Sequence, residues 1–120
     1  MTIKVEIPYV PEQLSKNRMI KFSSTKMGRK AYKDPAVLKF HADMAWLLSL
    51  QKVPSLSKAK THVGIMVYRP DMRSDPANFI DSILDIVKTG IGVDDRWFSV
   101  SLDWELAPKP KARIVVTVSQ

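Results

Sequence analysis

The sequence predicts an α+β fold: a small mixed β-sheet of about four strands with two helices, in the order β-α-β-α-β-β. Three observations carry that expectation. Four segments alternate apolar and polar residues, the period a half-buried strand requires. Two longer segments place apolar residues at helical spacing, one before and one after the second of those strands. Proline- and glycine-containing stretches separate them, and the strongly alternating strands suit a sheet covered by helices on one face. The length of 120 residues suits one core, so residues 1–120 are read as a single domain.

The first strand is Thr2-Ile3-Lys4-Val5-Glu6-Ile7, stopped by Pro8 and Pro11. From Lys16 to Lys33 the chain carries seven basic residues (Lys16, Arg18, Lys21, Lys26, Arg29, Lys30, Lys33) and no acid. Asn17, Ser23, Ser24, Thr25 and Gly28 interrupt any periodicity there, so the stretch reads as an irregular basic arm. A helix follows from about Asp34-Pro35 to about Leu50, because proline suits a first helical turn. Its apolar face is Val37, Leu38, Met44, Ala45, Leu47 and Leu48, with Phe40 and Trp46 on or beside it. His41 reads as a partly exposed or hydrogen-bonded helix residue rather than a ligand, and no function is assigned to it.

His62 to Tyr68 reads as the second strand, ended by Pro70. A second helix should run from about Pro76 to Lys88, with Ile80, Ile83, Leu84 and Val87 on one face. Asn78, Asp81, Ser82 and Asp85 then gather on the opposite one. Trp97 to Leu106 reads as the third strand and Ala112 to Val118 as the fourth, separated by the turn Pro108-Lys109-Pro110.

Composition narrows the function classes. With no cysteine, neither a disulfide framework nor a thiolate zinc site can form. His41 and His62 show no ligand spacing. No stretch approaches the ~20 apolar residues of a membrane span, and MTIKVEIPY does not read as a signal peptide, so a cytoplasmic protein with no membrane partner is expected. The formal net charge of +7 suits a polyanionic partner. Against that background, six of the twelve acidic residues fall between Asp71 and Asp95: Asp71, Asp75, Asp81, Asp85, Asp94 and Asp95. Clustered carboxylates weaken attraction to nucleic acid unless they hold a divalent cation against its phosphates. Oxygen ligands without sulfur or histidine select Mg²⁺, with Mn²⁺ as a substitute, over zinc.

Asp75 stands where a helix cap belongs, and Asp94-Asp95 where a turn pair belongs. If the second helix packs beside the strand that begins after Asp95, Asp75 and Asp95 could converge near one end of the sheet. Carboxylates that close repel one another unless a cation or proton lies between them.

Arg73-Ser74-Asp75-Pro76-Ala77-Asn78, an amphipathic helix, and then Gly92-Val93-Asp94-Asp95 resemble the core of the RusA-type Holliday junction resolvases. That family's pattern is Arg-rich, then Asp-x-Asp-Asn, a helix with a Lys three residues after the Asn, and a later Asp-Asp pair. The arm Ser15-Lys16-Asn17-Arg18 and the stretch Lys30-Ala31-Tyr32 are similar to the family's N-terminal half. The resemblance implies a homodimeric, Mg²⁺-dependent endodeoxyribonuclease that resolves four-way DNA junctions in recombination and repair. It places Asp75 and Asp95 at the family's catalytic aspartates and Asn78 at its asparagine.

Two positions depart from the pattern: Ala77 stands where the family's second Asp usually is, and Asp81 where its Lys usually is. Asp81, one helical turn beyond Asn78, is either a replacement carboxylate or an incidental solvated residue, and helical spacing favours the first. The expected metal set is Asp75, Asp94, Asp95 and Asp81, with Asn78 orienting a ligand or a water. The expected phosphate contacts are Lys16, Arg18, Lys21, Lys26, Arg29, Lys30 and Arg73, which position a nucleic acid without reading its sequence. The alternative function is a non-catalytic, basic nucleic-acid-binding protein of the same fold.

Overall fold

The computed structural model describes residues 2–15, 20–25, 28–33, 35–51 and 58–120, with only the backbone of 20–25 and 28–33. Mixed helix and strand is what it shows. Six strands are described: β1 (Thr2–Pro8), β2 (Ile20–Thr25), β3 (Gly28–Lys33), β4 (Thr61–Arg69), β5 (Phe98–Leu106) and β6 (Arg113–Ser119). The helices are a single turn α1 (Pro11–Leu14), then α2 (Pro35–Ser49) and α3 (Ile80–Ile91), with 3₁₀ turns at Pro76–Phe79, Asp95–Trp97 and Lys109–Lys111. Both long helices and all four strands of the main sheet lie within a few residues of their sequence expectations.

The main sheet has the order β1-β6-β4-β5. β6 runs antiparallel to both neighbours, with Val5 opposite Val116 and Ile65 opposite Val116. β5 runs parallel to β4, from Thr61 opposite Phe98 to Arg69 opposite Leu106. The reason is the connection: a strand joined to its neighbour by a helical crossover must return in the same direction, whereas a hairpin would reverse it. Alternation puts Ile3, Val5, Ile7, Val63, Ile65, Val67, Ile114, Val116 and Val118 on one buried face. Against it pack Ala45 and Leu48 of α2 and Ile83, Ile86 and Val87 of α3, with Phe79 from the 3₁₀ turn. Gly90 lets the two helices approach, since a Cβ there would lie 2.8 Å from Leu48 Cδ2 and 2.9 Å from the Ala45 carbonyl.

Several expectations are corrected. The basic stretch is not irregular throughout: its backbone pairs as an antiparallel hairpin from Ile20 opposite Lys33 to Thr25 opposite Gly28. Serine and threonine break an apolar period without opposing an extended backbone, and a hairpin ladder is made by backbone groups. Lys16, Arg18, Lys26 and Asp34 lie outside the described residues. The helix expected from Pro76 begins as a 3₁₀ turn and becomes α at Ile80, then runs on to Ile91. It ends at Gly92, whose φ of 71° is the left-handed conformation that glycine adopts freely. Ser82, placed on the polar face by spacing, is wholly buried and donates to the Leu14 carbonyl at 2.7 Å. On α2 the apolar face is narrower than expected, with Leu38, Trp46 and Leu47 exposed. His41 meets the expectation, with Nε2 2.9 Å from the Gln13 carbonyl oxygen.

Candidate metal centre

Asp75 ends the loop that follows β4 and caps the 3₁₀ turn Pro76–Phe79. Its Oδ1 accepts a hydrogen bond from the Ala77 N–H at 3.0 Å, one of the free donors at the start of any helical turn. The carboxylate is exposed, while Pro76 and Phe79 beside it are buried and fix the turn. The loop itself is anchored by Arg69, the last residue of β4 and only 4% exposed. Its Nε donates to the Asp71 carbonyl at 2.9 Å and its Nη2 to the Ser74 carbonyl at 2.5 Å, and the guanidinium lies 4.8 Å from the Trp104 ring centre. A buried cation held by carbonyl dipoles and an aromatic face fixes the backbone that delivers Asp75.

Asp94 makes the same kind of cap at the other end of the crossover. Its Oδ1 accepts from the Arg96 N–H at 3.1 Å, and its Oδ2 lies 3.4 Å from Arg96 Nη2. The backbone hydrogen bond from Arg96, with a smaller contribution from its hydrogen-bonded contact with the Asp95 side chain, holds the Asp94 carboxyl below the ordinary carboxylate range. Partial desolvation opposes this, and the charges of Arg96 and Lys88 reinforce it. Asp95 is exposed beside it.

These two carboxylate groups do not meet within one chain. β4 and β5 are parallel, so Asp75, after the end of β4, and Asp95, before the start of β5, stand at opposite ends of the sheet. A strand of nine residues rises about 3.3 Å per residue, which separates them by about 25 Å. The expected convergence at one end is thereby corrected. Among the described residues, no three His, Asp or Glu side chains come together as a metal-holding group. Asp81 and Asp85 are exposed on α3, and Asn78 is half-buried in the 3₁₀ turn, nearer to Asp75 than to Asp95 along the chain.

The basic residues divide in the same way. Arg73 is exposed beside Asp75, and its N–H donates to Asp71 Oδ1 at 3.0 Å. With Lys109, Glu12, Asp71 and Tyr9 it lines an open cleft of about 510 Å³ at the Asp75 end. Lys58, Lys88 and Arg96 surround a second depression at the Asp94 end, with Trp97 on its wall. Lys21, Arg29 and Lys30 belong to the β2–β3 hairpin. Sequence reasoning missed Arg69 and Lys109. A charged residue closing an apolar strand and leading into Pro70 was the available signal for the first; the turn Pro108-Lys109-Pro110 gave none for the second. No known protein-family model matches the chain, and no curated protein matches it.

Proposed function

We propose that this protein is a Mg²⁺-dependent endodeoxyribonuclease of the RusA type that cuts four-way DNA junctions as a homodimer. The observation that carries this reading is the placement of Asp75, exposed, and of the Asp94-Asp95 pair, half-buried and exposed in turn, each at the start of a short turn with cationic side chains beside it. The carboxylate oxygens suit a hard divalent ion, and nothing in the donor set favours a softer one. Because one chain holds the two groups at opposite ends of its sheet, the reading assigns each metal site to two copies: Asp75 of one subunit and Asp95 of the other. Asn78 and Asp81 belong with the Asp75 half. A two-fold pair of such sites matches the two symmetric incisions that junction resolution requires.

When bound, Mg²⁺ would polarise the scissile phosphodiester and supply an activated water. The chain's own residues do the rest. Asp75 and Asp95 would hold the ion, Arg69 keeps the Asp75 loop in place, and Arg73, Lys109 and the basic hairpin would neutralise backbone phosphates. Purified protein incubated with labelled four-way, forked and linear DNA should cut the four-way substrate with Mg²⁺ or Mn²⁺, and bind without cutting in Ca²⁺, whose looser shell places water poorly. Undiminished cleavage in EDTA would remove the metal from the mechanism. A second reading, a non-catalytic DNA-binding protein of the same fold, is favoured by Ala77 at the family's second aspartate. Binding without cleavage under every metal would select it.

A further inference from the structure

The two edges of the main sheet are built differently. β1 carries Lys4, Glu6 and Pro8 on an edge, the charges and proline that commonly keep an edge from pairing with another chain. β5, at the other edge, is Phe98-Ser99-Val100-Ser101-Leu102-Asp103-Trp104-Glu105-Leu106: nine residues with no lysine, arginine or proline in a chain that has 19 basic residues. Val100, Trp104 and Leu106 are 39%, 42% and 61% exposed although they lie on the sheet's apolar face. Phe98 and Leu102 pack against the core, while Val100, Trp104 and Leu106 are left outside it.

Two hydrogen bonds show which backbone groups of β5 are unpaired by β4. The Ala107 N–H, in phase with the odd-numbered residues, donates to the Arg69 carbonyl of β4 at 2.9 Å. The Trp104 N–H instead turns to its own neighbour, Asp103 Oδ1, at 2.8 Å. Since N–H and C=O of one strand residue point to the same side, Phe98, Val100, Leu102, Trp104 and Leu106 direct their backbone groups to the open edge. The residues with outward backbone groups are therefore the apolar ones.

We infer that β5 is the interface with a second copy of this chain, pairing antiparallel with its counterpart about a two-fold axis at Leu102. In that register Leu102 faces Leu102, Val100 faces Trp104 and Phe98 faces Leu106, so every outward backbone group meets a partner and the apolar side chains form one continuous row. On the opposite face Ser101 meets Asp103 and Ser99 meets Glu105. Moving the axis to Asp103 sets two carboxylates directly opposite one another, and moving it to Trp104 sets Asp103 against Glu105. Moving it to Ser101 leaves Leu106 opposite the charged Arg96. The pairing stands on this edge geometry alone. It also sets the start of one β5, with Asp94 and Asp95, beside the end of the other, where the Asp75 turn packs against β5; only that consequence rests on the nuclease reading.

The chain has no cysteine, so cross-linking can be read without background. Ser101→Cys and Asp103→Cys alter two exposed side chains on the polar face. Directly opposed residues of a non-hydrogen-bonded pair lie about 4.5 Å apart at Cα, within disulfide reach, whereas diagonal neighbours at about 7–8 Å lie beyond it. An equimolar mixture of the two variants, oxidised with oxidised glutathione, should give a disulfide-linked species of twice 13.6 kDa, while each variant alone should not. Trp104→Lys should shift wild-type dimer to monomer in sedimentation equilibrium while keeping its circular dichroism spectrum. No more cross-linking in the mixture than in the separate variants would overturn the inference. Cross-linking of Ser101→Cys alone or Asp103→Cys alone would overturn the register. A mixture that cross-links while the wild-type protein cuts no DNA upholds the edge pairing and removes the nuclease reading. Mg²⁺-dependent cleavage without cross-linking does the reverse.

Discussion

The two ends of the β4–α3–β5 crossover use the same device to different effect. At each end an aspartate caps a 3₁₀ turn through an N–H two residues on, at 3.0 Å for Asp75 and 3.1 Å for Asp94. The Asp75 end is held from beneath by a buried arginine that ties down two loop carbonyls. The Asp94 end is set by a left-handed glycine and an exposed ion pair with Arg96. One carboxylate is delivered by the protein interior and the other by a surface turn. The interior-held half is suited to fix geometry, and the surface half to meet something that arrives from outside the chain.

The largest expected effect breaks or secures the division of the site between copies. Asp75→Asn and Asp95→Asn should each abolish cleavage while leaving DNA binding intact or strengthened, because each removes a negative charge near phosphate with little change in shape. Mixed in equal amounts and allowed to exchange subunits, the two dead variants should recover about a quarter of wild-type activity. Half of the dimers are then hybrids, and each hybrid holds one intact site of two. No recovery would return both aspartates to a single chain.

Arg69→Met should come next. It leaves the carbonyls of Asp71 and Ser74 without their buried donor, at a cost of about 1–3 kcal/mol measured by urea unfolding. Its activity loss should appear as a higher Mg²⁺ concentration needed for half-maximal cleavage, since the loop that carries Asp75 is loosened; a variant as stable as wild type would show that the arginine anchors nothing. At the other end, Gly92→Ala should cost about 1 kcal/mol. No heavy atom lies within 4 Å of the added Cβ, so that cost is backbone conformation alone. A Gly92→Asn variant should recover part of it, because asparagine tolerates the left-handed region.

The smallest effect separates the caps by pH. The Asp94 carboxyl is held below its usual value of 3.8 in the fold, so its ionised form is the one the fold prefers. Its contribution is therefore complete above the unfolded value and disappears as pH falls through the lower, folded one. Asp94→Asn should flatten that acid limb of a stability–pH curve by lowering stability at neutral pH, the two proteins converging in acid. An unaltered acid limb would mean that the Arg96 contacts do not act on the carboxyl.

The strands were legible because alternation of Ile3, Val5 and Ile7, or of Ile114, Val116 and Val118, follows directly from facing a core on one side. The capping role of Asp75 was legible for a similar reason: aspartate before Pro76 has a local job. Strand direction was not read, and that is what misplaced Asp95. Alternation is identical for parallel and antiparallel strands, yet the helix between the second and third strands already required a parallel return and thus opposite ends for the two aspartates. The hairpin at Ile20–Lys33 was hidden because its residues carry no apolar alternation, and Ser82 because helical spacing gives a face without saying how far the neighbouring turn at Leu14 reaches over it.

The place of β6 in the sheet has a consequence for how the molecule is made. It lies between β1 and β4, yet it is synthesised after every other described strand. Until residues 113–119 leave the ribosome, β1 has no strand beside it in the main sheet and β4 lacks its partner on one side. Contacts this distant in sequence form slowly, because a long loop must close before any pairing rewards it. Pairing of β5 with β4 needs only the α3 crossover, whereas both pairings of β6 wait for residues 113–119. Trimming residues 113–119 would remove a central strand rather than shorten an edge.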